Sequence, residues 1–386
     1  MTCDLFICAG EASGDLYGAQ LLQALYAVCP NLNVKGVGGP KMRATGMDCF
    51  MPMEKLAVMG CVDVFFNLPQ LISYFKAVKK EILATQPRVL VCIDFPSFNL
   101  RLANALYKKR LPTKRIHYIC PAVWAWGKGR IPKMERILDC LLVVFPFEPN
   151  LFSQETLRLL YVGHPVISQI ASHKYDDHWK EKCGIPVHKP ILSIFPGSRK
   201  KEVMRNFPLQ LNAAKRIQHR YPDLVIAISC FDKAFLPLLD KNCVIVDSQY
   251  SYELMRASHL SITTMGTVVL ELALHCVPTV ATFSLHSIDL FIARRLLRID
   301  LPYYALPNIV KQREIFPELV GHFCTEEAIY EKGVELFGDK DKRSICIEQC
   351  RDIKKILGEK NASLESVKVI LEYLYASGYE LKNHRR

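Results

Sequence analysis

What this chain does without narrows its chemistry before any motif is read. No run approaches the ~20 consecutive apolar residues that a bilayer-crossing helix needs, and Met1-Thr2-Cys3-Asp4 lacks the basic lead-in of a secretory signal. The expectation is a cytoplasmic protein that meets membranes only at their surface. Tryptophan is scarce, with three in 386 residues. An RNA-binding aromatic signature, a zinc finger and a long basic arm are all missing, which argues against nucleic acid as a partner. The 15 cysteines offer no disulfide framework, being odd in number and scattered through apolar stretches, as Cys3, Cys8, Cys92, Cys120 and Cys230 show. They read as small buried hydrophobes in a reducing compartment. No pair has zinc-ribbon spacing, Cys346 and Cys350 read as neighbours on one helical face, and neither a metal nor a cofactor is expected. Acidic residues are also in deficit, 38 against 50 Lys and Arg, for a net charge of +12. That surplus attracts phosphorylated substrates, anionic lipid or nucleic acid without choosing among them.

What is present describes a globular protein, with half of the residues hydrophobic and 23% charged. The length suits two domains. Short β-rich runs (Asp4–Ala9, Val34–Val37, Val89–Asp94, Arg115–Ile119, Leu141–Phe145, Leu160–Val162) alternate with helical patterns. A second series follows at Ile191–Phe195, Leu224–Ser229, Val244–Val246, Leu260–Thr263 and Thr279–Phe283. This alternation predicts an α/β protein with two Rossmann-like domains in tandem, each a parallel sheet covered on both faces. The expected division is 1–165, 166–345 and a C-terminal helical segment 346–386, in which Leu364, Val367, Leu371 and Leu374 mark a buried stripe. Two such domains facing a cleft gather their ligand-binding loops at the carboxyl ends of the strands.

The residues just after the strands carry the chemistry. Gly10-Glu11-Ala12-Ser13-Gly14-Asp15 leads from a strand into a helix, whose free amides suit phosphate or sugar hydroxyls. It reads equally well as a turn capped by Ser13 or Asp15. Asp94 closes an apolar strand, where partial desolvation raises its basicity enough to accept a hydroxyl proton. Ser97 is better placed than Asp94 to cap the following helix. Gly197-Ser198-Arg199, followed by Lys200 and Lys201, lets backbone and guanidinium approach a diphosphate. Gly266-Thr267 opens a later helix and places Glu271 one turn along. Gly36–Pro40 reads as a tight turn, His164 as a hydrogen-bonded hinge residue or a ligand, and Trp124 and Trp126 as packing or a cleft wall.

In order and spacing, Ala9–Asp15, Ile93–Asn99, Pro121–Trp126, Gly163-His164, Pro196–Arg199, Gly266-Thr267 with Glu271, and Leu306-Pro307-Asn308 resemble the lipid-A-disaccharide synthase family over nearly the whole chain. The resemblance implies a GT-B architecture and an inverting, metal-independent transfer of 2,3-diacylglucosamine from its UDP derivative to 2,3-diacylglucosamine 1-phosphate. The products would be the β-1,6-linked disaccharide 1-phosphate and UDP. It implies Asp94 as general base, Arg199 with Gly197 and Ser198 at the diphosphate, and Gly266, Thr267 and Glu271 at the nucleotide. Gly10, Glu11, Ser13 and Asn308 would serve substrate binding. Ser97 and Met265 depart from the family pattern, which carries a second aspartate and a small residue there. The alternative is another UDP-sugar enzyme of the same fold, such as a lipid-linked peptidoglycan glycosyltransferase or a UDP-N-acetylglucosamine 2-epimerase. Lipid substrates give a role to the apolar set Phe65, Phe66, Leu68, Leu71, Ile72 and Phe75, trailed by Lys76, Lys79 and Lys80. This helix reads as a patch on the anionic inner face of the cytoplasmic membrane, with an ordinary core-facing amphipathic helix as the alternative. The last helix can pack on its own chain or on a second copy, so a homodimer is a further expectation.

Overall fold

The computed structural model describes residues 3–56, 63–125, 127–153, 155–229, 232–236, 243–285 and 301–379. Cys230 and Trp126 lie outside them, as do the side chains of Phe65, Phe66 and Leu68. The chain forms two α/β units, one of Met1–Ser168 with Glu359–Arg386 and the other of Gln169–Gly358.

The first unit is built on seven strands: β1 (Leu5–Ala9), β2 (Val34–Gly38), β3 (Asp48–Pro52), β4 (Val89–Ile93), β5 (Lys114–Tyr118), β6 (Cys140–Val143) and β7 (Arg158–Tyr161). Their order is β3-β2-β1-β4-β5-β6-β7, and every pairing is parallel. Helices α1 (Ala12–Val28), α2 (Pro40–Arg43), α3 (Asp63–Thr85), α4 (Pro96–Lys108), α5 (Ile131–Ile137) and α6 (Pro165–Ser172) connect or follow them. Alternate residues of a strand point to opposite faces, so Phe6 and Cys8 join Leu90 and Cys92 in one core with Val78 and Ile82 of α3 and Leu102 and Leu106 of α4.

The second unit contains α7 (Trp179–Lys182), β8 (Ile191–Phe195), α8 (Lys200–Arg220), β9 (Val225–Ser229), β10 (Cys243–Val246), α9 (Ser251–Ala257), β11 (Ser258–Thr264), α10 (Thr267–Leu274), β12 (Thr279–Phe283) and β13 (Glu318–Val320). Its sheet, β10-β9-β8-β11-β12-β13, is also parallel throughout. No described helix is long and apolar enough to cross a membrane.

Three local expectations change. Gly36–Pro40 is not a free turn: Gly36 and Gly38 lie in β2, and Pro40 opens α2, where its missing N–H costs nothing. The buried stripe of the last helix, Ala362–Ala376, is rotated from the expected one. Leu364 is 50% exposed, while Ser366, Val367, Ile370 and Leu374 are buried against the first unit. The C-terminal helices also do not stand apart, since Lys340–Leu357 belongs to the second unit and Ala362–Ala376 to the first.

Candidate functional site

In each sheet the strand order reverses once, between β1 and β4 and between β8 and β11. Connections leave such a point toward opposite faces, and the space between them is where open α/β sheets bind ligands. The candidate residues after these four strands occupy the two switch points.

At the first, Gly10 follows β1, and a Cβ there would lie 2.3 Å from the Phe95 ring. Glycine at this position leaves room for that ring. Glu11 is the exposed N-cap of α1, in extended backbone and without a side-chain bond to the helix, and Ser13 is half-buried beside it. Asp94 stands just beyond β4, its amide donating to the Tyr118 carbonyl at 2.9 Å. Its backbone is left-handed, with φ 46°, a conformation that a non-glycine residue adopts at a cost. Burial raises its carboxyl pKa to about 6, the Glu11 charge adds to the rise, and the Phe95 amide offsets part of it. Asn99, completely buried, donates Nδ2 to the carbonyls of Asp94 (2.8 Å), Ile93 (3.2 Å) and Cys8 (3.4 Å). It ties β1 to β4 and fixes the turn that presents Asp94.

Two capping expectations fail here. Helix α4 takes Phe95 as its N-cap, with Pro96 in its first turn, and neither Asp94 nor the exposed Ser97 closes it. Asp15 does not cap α1. Its buried carboxylate accepts from the amides of Gly39 (2.9 Å), Lys41 (3.0 Å) and Met42 (2.9 Å), and so anchors the start of α2.

At the second switch point Gly197 has φ +112°, which requires glycine. Ser198, Arg199, Lys200 and Lys201 are exposed at the start of α8, with Arg199 as N-cap. Arg199 Nη1 donates to Glu202 Oε1 at 2.7 Å. A buried network underlies this loop. Gln210 Nε2 donates to Thr264 Oγ1 (3.0 Å) and Thr282 Oγ1 (2.9 Å), and Thr264 donates to the Pro196 carbonyl at 2.8 Å. Motif reading missed Gln210, Thr264 and Asn99 as organisers; polar residues within apolar runs were the available signal.

After β11 come Gly266 and Thr267, both exposed. Gly266 has extended backbone (φ 172°), and a Cβ there would meet nothing within 4 Å. The fold gives no reason for glycine, whereas a ligand approaching the backbone would. Glu271 lies one turn on in α10, half-buried, and burial raises its pKa to about 7. Asn308 differs from these. It is 0% exposed, donates Nδ2 to the Phe316 carbonyl (2.8 Å) and Glu318 Oε1 (2.7 Å), and accepts at Oδ1 from the Ile315 (2.8 Å) and Phe316 (3.0 Å) amides. These four bonds occupy its amide, so in this arrangement it organises a loop and has no group left for a substrate.

His164 is buried and accepts the Val166 amide at Nδ1 (3.3 Å); burial lowers its pKa to about 4, so it is a neutral structural residue. In the apolar set of α3, Ile72 is 45% exposed. Phe75 instead turns inward, edge-on to Phe98 at 5.6 Å, which removes it from an exposed patch. Among the described residues no three His, Cys, Asp or Glu side chains converge as metal ligands.

Comparison with known proteins places these features. The chain matches the family model described as lipid-A-disaccharide synthetase over residues 5–370. It is 37% identical over 378 residues to the lipid-A-disaccharide synthase of Chlamydia trachomatis serovar D, an alignment covering 95% of this chain and 62% of that protein. The chain thus spans less than two thirds of that relative's length. The enzyme of Idiomarina loihiensis is 35% identical, with 95% of this chain and 97% of that protein covered. Among solved structures, a UDP-N-acetylglucosamine 2-epimerase from Neisseria meningitidis bound to UDP-GlcNAc has a TM-score of 0.65 at 11% identity, covering 96% of this chain and 100% of that one. A calicheamicin glycosyltransferase has a TM-score of 0.60 at 13% identity, covering 98% and 100%. These structures share the GT-B fold and, at such identity, establish the fold alone. The family match over nearly the whole chain, with the same motifs gathered at two switch points, makes this chain a member of the lipid-A-disaccharide synthetase family.

Proposed function

We propose that the protein transfers 2,3-diacylglucosamine from its UDP derivative to the 6-hydroxyl of 2,3-diacylglucosamine 1-phosphate, releasing UDP. The observation that carries this reading is the division of chemistry between the switch points. A carboxylate of raised basicity stands at the first, and a glycine turn with a cationic helix start stands at the second. Asp94 takes the hydroxyl proton, the oxygen attacks the anomeric carbon opposite the leaving UDP, and the centre inverts. Arg199, Gly197 and Ser198, with the N-terminus of α8, take up the charge developing on the diphosphate. Thr267 and Glu271 receive the nucleotide, with Gly266 leaving room for it. Glu11 and Ser13 serve the acceptor, and Asn308 is a positioning residue. No step is assigned to a metal.

The lipid substrates support a further part of the reading, association with the anionic inner face of the cytoplasmic membrane through the apolar residues of α3 near Ile72. Pairing of two chains through the exposed side of the last helix is also part of it. The deciding experiment measures UDP release with both lipid substrates supplied. Release that requires the acylated acceptor supports the reading, whereas turnover of UDP-N-acetylglucosamine with no acceptor would overturn it.

A further inference from the structure

We propose that the loops after β5 and β6 form an aromatic platform, Trp124 with Phe147 held by Glu148, on which the glucosamine ring of the acceptor stacks. The inference rests on the acceptor reading of the first unit and adds residues that no part of that reading uses.

Position comes first. The Asp94 amide bonds the Tyr118 carbonyl and the Ile119 amide bonds the Leu142 carbonyl, each at 2.9 Å, so the ends of β4, β5 and β6 advance in step. The loops that follow therefore rise within about 10 Å, two strand spacings, of Asp94. Backbone strain is concentrated on the same edge. Of seven described non-glycine residues with positive φ, Gln86, Arg110, Cys276 and Gln312 terminate helices, where a left-handed residue is ordinary. The other three are Asp94, Phe95 and Ile119 at the ends of β4 and β5. Ile119, β-branched with φ 73°, is the most costly of them and launches the loop that carries Trp124.

Glu148 supplies the second observation. It is 1% exposed, and its Oε2 accepts from the amides of Val144 (3.0 Å) and Phe145 (2.9 Å). Among the described residues, Oε1 and the buried indole Nε1 of Trp124 form no hydrogen bond of good geometry. Burial raises the Glu148 pKa to about 7, and the Val144 and Phe145 amides and the nearby indole N–H offset part of that rise. A carboxyl so placed is expensive, and its two backbone bonds leave Oε1 unpaired. By accepting those two amides it closes the turn after β6 that carries Phe147, while the N–H edge of the Trp124 indole is buried and the ring as a whole stays half-exposed.

Phe147 extends the surface, 6.1 Å from Trp124 at 77°, and is backed by Phe145 at 5.6 Å, itself 5.1 Å from His164. The polarised C–H groups on one face of a pyranose complement the negative face of an aromatic ring. Two half-exposed rings suit a sugar, whereas an acyl chain needs a continuous apolar wall.

Trp124→Leu and Phe147→Leu are expected to raise the acceptor KM about three- to tenfold, the equivalent of one aromatic contact, with UDP affinity unchanged within about twofold. Trp124→Phe should restore most of the loss, and Glu148→Gln should raise the acceptor KM without moving UDP affinity. Glucosamine 1-phosphate, titrated without donor, should perturb tryptophan emission in the wild type and not in folded Trp124→Leu. An unchanged acceptor KM in folded variants, an equal loss of donor and acceptor binding, or a response to the diacylated acceptor but not to glucosamine 1-phosphate would each overturn the platform. The emission titration needs no turnover, so a wild type that binds the sugar but transfers nothing counts against the proposed reaction and leaves the platform standing.

Discussion

The buried amide of Asn99 holds the carbonyl of Asp94 at 2.8 Å. A residue that touches no substrate thereby sets the left-handed turn presenting the proposed base. Replacing it with alanine leaves three strand-end carbonyls without that donor and should cost about 1–3 kcal/mol of stability. Turnover should fall further than stability explains, because misplaced catalytic groups are penalised steeply, while UDP affinity should hold. Loss of UDP affinity in parallel with turnover would show a general collapse and not a local displacement.

Asp94→Asn should lower turnover by at least about a hundredfold, the usual scale for losing a general base. In the wild type, activity should climb through the Asp94 pKa of about 6 and level off above it, since only the carboxylate accepts the proton. The Glu11 charge contributes to that elevation, so Glu11→Gln should move the acid limb of the pH–rate profile to lower pH. A limb that stays in place in this variant would separate Glu11 from the base.

Gly266 separates a structural from a functional glycine. Its extended φ of 172° suits any residue and its Cβ direction is open, so Gly266→Val should cost no more than about 1 kcal/mol, the scale of a changed N-cap. UDP binding, read by calorimetry, should weaken at least about tenfold as the added methyl groups fill the space left for the nucleotide. A stable variant with unaltered UDP affinity would remove Gly266 from the site.

The candidate site residues were legible because they follow strands that announce themselves. β1 and β4 are unbroken apolar pentapeptides, and whatever follows such a strand in a parallel sheet lies at its ligand-binding end. The missed elements sit at the sheet margins. β3 has an exposed Asp48, and β13 is three residues with a Glu at its start. An edge strand is half-solvated and carries no continuous apolar signature. Long-range bonds were equally invisible, because nothing in local spacing says that Asp15 reaches across to Gly39 and Met42 or that Phe75 turns toward Phe98.

The proposed membrane association can be tested apart from core packing on α3. Ile72 is 45% exposed, whereas Phe75 is packed against Phe98. Ile72→Glu should reduce cosedimentation with anionic vesicles and leave the melting temperature near that of the wild type. Phe75→Ser should lower the melting temperature sharply through lost packing and buried polarity. Unchanged sedimentation of a folded Ile72→Glu protein would remove this face from the membrane.

Acid should destabilise the protein through two buried imidazoles. His117, in β5, is 0% exposed with neither ring nitrogen hydrogen-bonded among the described residues, and His164 spends Nδ1 on the Val166 amide. Burial lowers both pKa values from 6.5 to about 4. Between those limits the unfolded chain binds protons that the folded chain refuses, so stability rises with pH across the window and is lost as pH falls from about 6.5 toward 4. The full penalty is on the order of 3 kcal/mol for each imidazole. Asp94, Glu148 and Glu271 act in the opposite sense, since burial raises their pKa values to about 6, 7 and 7. The folded state holds their protons to higher pH, so their contribution is greatest in acid and fades as pH rises through those values. The net slope of the wild type is therefore a difference of terms, and a single-site variant isolates one of them. His117→Leu removes the histidine contribution without disturbing any hydrogen bond to that ring. Urea unfolding at a series of pH values should give the variant a growing advantage over the wild type below pH ~6.5, with a slope approaching 1.4 kcal/mol per pH unit. The two curves should run parallel above that point. Curves parallel through the whole window would mean that the imidazole is protonated in the folded state, against its unpartnered burial in β5.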